Sequence, residues 1–230
     1  MCGRYRLTHS YEELSHGFDA QGEAEVAPRF NIAPSQPVIA IREQGGRRIS
    51  ALRWGLIPSW AKDASIGFKT INARAETVVN TPSFREPFKS QRCLIPADGF
   101  YEWKKGGKAK QPYCFERADR GIFAFAGLWD RWIDSRGETV ESCTILTTTP
   151  NALLADVHDR MPVILRPDDY HLWLNPRAGD SDAVLEMLRP YDAGLMRRYP
   201  VSTRVNYVQN DDPECAKPVE LEVPRQAKLF

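Results

Sequence analysis

Turn-forming residues constrain this chain more than any other feature. They interrupt it at Pro28 to Pro34, Gly45-Gly46, Asp98-Gly99, Gly106-Gly107, Ser135-Arg136-Gly137 and Thr149-Pro150-Asn151. Between the breaks lie runs of strand length: Arg4 to Thr8, Val38 to Arg42, Ile49 to Trp54, Cys93 to Ala97, Phe100 to Trp103, Pro112 to Glu116, Phe123 to Trp132 and Val140 to Thr148. Briefer strand signals lie at Val163 to Leu165, Tyr199 to Thr203 and Val219 to Val223. Helical signals are short. Ser10 and Glu13 form a capping box ahead of Leu14 and Phe18, and Gly22 lies beyond that helix. Asn151 to Asp156, Asp168 to Leu174 and Asp180 to Leu188 read as further short helices, and Arg74 to Val79 as a weak one. Pro28 to Pro34 reads as a fixed, extended loop, and Gly55 to Gly67 as a long surface loop. Many short strands with few helices predict an α+β fold, with an antiparallel barrel-like β core and short peripheral helices. No glycine-rich nucleotide loop points to a doubly wound sheet instead.

With 230 residues and 42% hydrophobic content, the chain can bury a sizeable core, and residues 1–230 read as a single domain. From about Asp211 an acidic stretch (Asp211, Asp212, Glu214, Glu220, Glu222) reads as a wrap or tail around that core. The formal charge of +1 does not advertise a polyanion partner, yet basic residues cluster at Arg42 to Arg53 and Lys104 to Lys110. An acidic tail and a basic middle can cancel in the sum and still leave a positive groove. Five cysteines with no C-x-x-C spacing argue against a disulfide framework and a zinc site. The four histidines show no metal-ligand spacing, so neither a metal nor a cofactor is expected. Without a membrane-length apolar run or an opening signal peptide, a reducing cytoplasmic setting is expected.

The chain starts Met1-Cys2-Gly3-Arg4-Tyr5. Loss of Met1 would put an α-amine and a thiol on one residue. A free α-amine titrates near pKa ~7.7–8.0, so a fair fraction is neutral near pH 7 and can attack a carbonyl. The resulting imine lies within reach of the same residue's thiol, and closure gives a thiazolidine. The thiol could instead act as an acyl-transfer nucleophile with the amine as its base. The plainer possibility is a small buried hydrophobe.

A thiazolidine-forming site needs a polar group to hold the terminus and the aldehyde, and an acid–base pair to move protons. Asn72, Glu102 and His158 are groups of the right kind. Each has a plainer reading: Asn72 as a turn or cap, Glu102 as a surface strand residue, His158 as solvated loop. By strand alternation Glu102 shares a face with Phe100, and burial there would raise its pKa. Arg4, Arg74 and Arg160 stand one or two residues from these positions and suit phosphates, or else pair with acids such as Glu76 and Asp159. Trp54 and Pro58 offer apolar surface to bases of a single strand, or else pack in the core.

Eight stretches, in order, resemble the SOS response-associated peptidase (SRAP) family of abasic-site-processing proteins: Met1 to Tyr5, Arg29 to Pro34, Arg53 to Pro58, Ile71 to Glu76, Arg92 to Pro96, Gly99 to Trp103, Phe125 to Trp129 and His158 to Pro162. The resemblance implies a barrel-like α+β domain with a positive groove, acting as a monomer on single-stranded DNA near a junction with duplex. It implies that Cys2, freed of Met1, condenses with the ring-opened abasic aldehyde to give a thiazolidine crosslink. Asn72 would position the terminus and substrate, and Glu102 would assist Schiff-base formation. His158 would serve ring opening, strand-cleaving lyase activity and crosslink reversal. Arg4, Arg74 and Arg160 would contact phosphates. The resemblance also implies self-processing at Met1 and a place beside DNA in the bacterial nucleoid. The rival reading is an N-terminal-nucleophile amidohydrolase, such as a glutamine amidotransferase domain, acting by acyl transfer from Cys2.

Overall fold

The computed structural model describes residues 2–105 and 110–221. Its elements in chain order are β1 (Tyr5–Leu7), α1 (Tyr11–Phe18), β2 (Gln21–Gly22), β3 (Arg29–Ile32), β4 (Pro37–Glu43), β5 (Arg47–Trp54), β6 (Asn72–Arg74), α2 (Arg85–Ser90), β7 (Arg92–Ala97), β8 (Gly99–Lys104), β9 (Gln111–Arg117), β10 (Phe123–Ile133), β11 (Thr139–Thr148), β12 (Met161–Pro162), β13 (Ile164–Leu165), α3 (Tyr170–Leu174), α4 (Asp182–Leu185) and β14 (Met196–Pro200).

Five strands close a barrel in the order β5-β4-β7-β10-β11. Four of its seams are antiparallel, and β5 meets β11 in parallel, with Arg53 opposite Ser142 and Trp54 opposite Cys143, so the ring has no open edge. Gly127 on β10 sits where a Cβ would lie 2.8 Å from the Cys93 sulfur and 2.9 Å from Ile95 Cδ1, so a larger residue would push β7 away. A second, wholly antiparallel sheet runs β14-β9-β8-β1-β3. Its inner face joins the barrel through aromatic edges. Tyr5 meets Trp54 and Phe125 with ring centroids 5.4 and 5.6 Å apart, and Phe100 meets Phe125 at 6.0 Å. One continuous apolar core therefore serves both sheets. The outer face of the second sheet carries a smaller core of Tyr101, Cys114, Val201, Val205 and Cys215.

The expected α+β class, barrel-like β core and short helices describe this architecture. The capping box also forms: Glu13 N–H donates to Ser10 Oγ at 3.3 Å, and Ser10 N–H donates to Glu13 Oε2 at 2.7 Å. Helix α1 closes on Asp19 in the left-handed region (φ 48°), ahead of Gly22. Other local expectations fail for identifiable reasons. Pro28 and Pro34 bracket a strand, because β3 finds its partner in β1. Arg74 to Val79 and Asn151 to Asp156 are β6 and turns, not helices. The first is drawn out by its parallel pairing to β11, and the second is folded around Asn151, whose Oδ1 accepts from Leu154 N–H at 3.1 Å. Helix α2 carries no side-chain cap, so it left no start signal. The hairpin turn at Gly106-Gly107 and the end of the Val219 to Val223 strand signal lie outside the described residues.

The 55–67 segment is not a surface loop at its start. Leu56, Ile57 and Pro58 are buried. Gly55 takes φ +123°, and a Cβ there would stand 2.5 Å from the Gly67 carbonyl oxygen, so the two glycines cross back to back. The acidic stretch from Asp211 begins as a fixed wrap. Asp211 Oδ1 accepts from the backbone N–H of Phe30 (2.5 Å) and Asn31 (2.8 Å), capping the β3 edge, while its other oxygen pairs with Arg29.

Arg92 is a buried cation spent on backbone. It donates to the carbonyls of Trp173 (2.6 Å), Phe88 (2.5 Å), Lys89 (2.9 Å), Gly179 (2.7 Å) and Asn175 (2.5 Å), closing the ends of α2 and α3. Burial lowers its pKa to about 10. Arg92→Met should cost ~3 kcal/mol or more in urea denaturation, because several buried carbonyls lose charged donors at once. A loss within ~0.5 kcal/mol would show that water replaces the guanidinium freely.

Candidate functional site

The site begins with the position of the chain's first residues. Strand β1 pairs with β8, Tyr5 opposite Phe100, and the Tyr101 N–H donates to the Arg4 carbonyl at 3.0 Å. Three residues before Tyr5, Cys2 lies within electrostatic reach of Glu102 on β8. Cys2 is fully buried. Burial raises its thiol pKa well above the ordinary range, the Glu102 charge adds to this, and a hydrogen bond from the Arg4 backbone opposes it. The thiol is thus held protonated.

Glu102 is only 3% exposed. Alternation along β8 turns it to the Phe100 face, as the sequence indicates. Burial lifts its carboxyl to about 8, the charge of Asp159 helps, and a hydrogen bond from Trp103 N–H opposes. His158 follows the turns after β11, and its Nε2 stands 3.9 Å from Glu102 Oε2. Its Nδ1 accepts the backbone N–H of Arg160 at 3.0 Å, which fixes the neutral ring with its proton on Nε2, toward Glu102. In the protonated ring the same Nδ1 instead serves Asp159, 3.0 Å away. Burial lowers the His158 pKa, Lys105 contributes, and Asp159 opposes. The two groups are displaced in opposite senses, acid up and base down, so both are neutral near pH 7.

Asn72 opens β6, parallel to β11, and its Nδ2 donates to the Ile145 carbonyl at 3.3 Å. Its Oδ1 is buried without a hydrogen-bond partner among the described residues. That leaves an acceptor able to receive an amine or hydroxyl donor.

The arginines divide. Arg74 is exposed at the end of β6. Arg160 forks onto Glu76 at 2.6 and 2.9 Å and donates to the Thr147 carbonyl at 2.5 Å, so it takes the carboxylate pairing that the sequence left open. Arg4 donates to Asn31 Oδ1 (2.9 Å) and to the Val205 carbonyl (2.7 Å), with its guanidinium 5.9 Å from the Trp103 ring centre. Trp54 and Pro58 do not face outward. Trp54 is 1% exposed, donates its indole N–H to the Ile71 carbonyl at 2.9 Å and packs on Tyr5, so it is core. Pro58 is buried with it. The apolar surface of that loop is carried by Trp60, 59% exposed, and Phe68, 65% exposed.

Sequence reasoning passed over Asn31 and Asp98, which hold the β1 strand. Asn31 Nδ2 donates to the carbonyls of Val205 (3.2 Å), Tyr207 (3.1 Å) and Asn210 (2.6 Å). Asp98 accepts from Arg6 Nε (2.7 Å), Thr8 N–H (2.6 Å) and the Thr8 hydroxyl (2.7 Å). Both lie within or beside motifs quoted for the family resemblance, a signal read there only for its chemistry. Among the described residues no three His, Cys, Asp or Glu side chains converge as metal ligands, and no helix is long and apolar enough to cross a membrane.

Comparison with known proteins is decisive on kinship. The family described as SOS response associated peptidase (SRAP) matches residues 1–208. The chain belongs to the SRAP family. The abasic site processing protein YoqW of Bacillus subtilis is 47% identical over 219 residues, covering 93% of this chain and 98% of that protein. The abasic site processing protein HMCES of Gallus gallus is 35% identical over 99% of this chain and 81% of its own length. A crystal structure of a Bacteroides thetaiotaomicron protein superposes with a TM-score of 0.88 at 28% identity, covering 95% of this chain and all of that one.

The different placements of Trp54 and Trp60 can be measured. Trp54→Ala should lower unfolding free energy by ~3–5 kcal/mol, whereas Trp60→Ala should leave it within ~0.5 kcal/mol. Equal losses in chemical denaturation would contradict the assignment of Trp54 to the core and Trp60 to the surface.

Proposed function

We propose that this SRAP protein processes abasic sites in single-stranded DNA by covalent capture on Cys2. The observation that carries the reading is the buried Glu102 carboxyl, raised to about 8, within electrostatic reach of Cys2 and 3.9 Å from His158. The names of the curated relatives, abasic site processing proteins, supply the substrate class.

In this reading Met1 is removed and the Cys2 amine adds to the C1′ aldehyde of the opened sugar, forming a C–N bond and a hydroxyl. Glu102 gives a proton to that hydroxyl, which leaves as water, and the nitrogen's N–H proton returns to the Glu102 carboxylate, so that a neutral imine remains. The Cys2 S–H then adds across the C=N bond: sulfur bonds to C1′ and the proton goes to nitrogen. The product is a thiazolidine, one water lighter than the reactants. A protonated thiol suits this order, because the amine attacks first and the thiol closes second. It disfavours acyl transfer, which needs a thiolate from the start. His158, with its proton on Nε2, opens the sugar ring and returns protons during reversal and strand-cleaving lyase chemistry. The Asn72 Oδ1 acceptor holds the amine or the sugar hydroxyl. Removal of Met1 by the same acid–base pair belongs to this proposal.

Arg74 and Arg4 face the phosphates, with Arg160 held ready by Glu76. Trp60 takes the stacking role that Trp54 and Pro58 cannot fill, against bases beside a junction with duplex. The proposed setting is the DNA of the cell, with the protein acting as a monomer.

Intact-mass spectrometry with single-stranded DNA carrying one abasic site tests the reading. The expected result is loss of Met1, then a heat-stable shift equal to the DNA minus water that is absent in Cys2→Ala. Free Cys2 with no adduct would overturn it. Glu102→Gln keeps the shape but cannot give up a proton as an acid, so adduct formation should slow ~100-fold or more. In the wild type the rate should fall as pH rises through about 8, where Glu102 loses its proton. A rate that keeps rising to pH 9.5 would remove Glu102 from the acid role.

A further inference from the structure

His158 and Glu102 come from different parts of the fold. Glu102 belongs to β8 of the second sheet, whereas His158 lies in the turns after barrel strand β11. Neither element alone sets their 3.9 Å separation. Two charged links bracket His158 at equal sequence distance. Arg160, two residues after it, is forked onto Glu76 and tied to Thr147 on β11. Asp156, two residues before it, points the other way. Its Oδ2 accepts from Lys104 Nζ at 2.6 Å and from Arg198 Nη2 at 3.1 Å, and its Oδ1 accepts from Arg198 Nη1.

Those two cations both belong to the Glu102 sheet. Lys104 is two residues past Glu102 on β8. Arg198 is on β14, with its guanidinium 5.4 Å from the ring centre of Tyr113, the residue paired across from Glu102. Arg198 Nη1 also donates to the Leu153 carbonyl at 2.8 Å, gripping the same turn a second time. One carboxylate thus joins the histidine's turn to the glutamate's own strand and to β14, two strands along in the same sheet.

We propose that Asp156 is a positioning residue whose ion pairs with Lys104 and Arg198 hold the turn bearing His158 against Glu102. The inference rests on the functional reading above only for the consequence in catalysis, not for the geometry. Half-exposed ion pairs add little to global stability, so the cluster's effect is local. Asp156→Asn keeps the size and removes the charge, and the turn should then swing away from Glu102.

Two readouts separate this role from general damage. The first is the titration of His158 followed by imidazole NMR, assigned with His158→Gln. The charged groups around the ring are Glu102, Asp159, Arg160 and Lys105. Loss of a nearby negative charge alone would lower the His158 pKa. Release of the ring from its buried place raises it toward the ordinary histidine value. The expected result for Asp156→Asn is a rise at His158, with His9, His16 and His171 unmoved. A fall or no change overturns the proposal.

The second is a double-mutant cycle on the abasic-site reaction, scored as lyase or reversal rate. Asp156→Asn should slow it several-fold in the wild-type background and have no further effect in His158→Ala. An equal loss in both backgrounds would make Asp156 a folding or DNA-binding residue and overturn the clamp. If wild-type protein yields no adduct, the functional reading fails, and the NMR result still decides the positioning role.

Discussion

The pairing of β1 with β8 is the constraint on which the rest depends. It draws the first residues of the chain into a seam between two sheets, where a terminus would ordinarily fray. Backbone hydrogen bonds set the register, Tyr5 locks it against Trp54 and Phe125, and Asp98 and Asn31 hold the flanks. The buried Cys2, the raised Glu102 and the lowered His158 all follow from that insertion. The closed barrel matters mainly as the rigid wall that the seam is built against.

That burial also organises the electrostatics. Water is kept from Glu102, so its neutral form persists to about pH 8. The same dryness depresses the His158 imidazolium. A carboxylic acid and a neutral imidazole side by side can exchange a proton through a bridging substrate atom without stranding a charge in a low-dielectric cleft. Most cations near the site are already committed. Arg4, Arg6, Arg160 and Arg198 all hold backbone or carboxylate oxygens, and exposed Arg74 differs from them.

Much of this was legible in the sequence. The strand rhythm and turn residues led to the barrel-like class, the Ser10–Glu13 box marked α1, and alternation put Glu102 on the Phe100 face. What stayed hidden required partners far along the chain. β3 looks like a proline-bounded loop until β1 lies beside it. Trp54 leaves both a surface and a core reading open in the sequence, core packing being the commoner fate of such a residue, and its burial against Tyr5 settles it. Asn31, Arg92 and Asp98 are polar residues that could sit anywhere. Their roles emerge from backbone groups 90 to 179 residues away for Asp98 and Asn31, which no local pattern encodes.

The Asn31 hub carries a consequence for how the molecule is made. Arg4 is fastened to Asn31 and to the Val205 carbonyl, and Asn31 in turn to Val205, Tyr207 and Asn210. The seam around Cys2 therefore cannot be fully sealed until residue 210 has left the ribosome. At bacterial or eukaryotic elongation rates of ~5–20 residues per second, that leaves the start of the nascent chain open for about 10–40 s. Until residue 210 emerges, the pocket around Cys2 lacks its last wall, so the order of synthesis acts as a timer on the closing of the site.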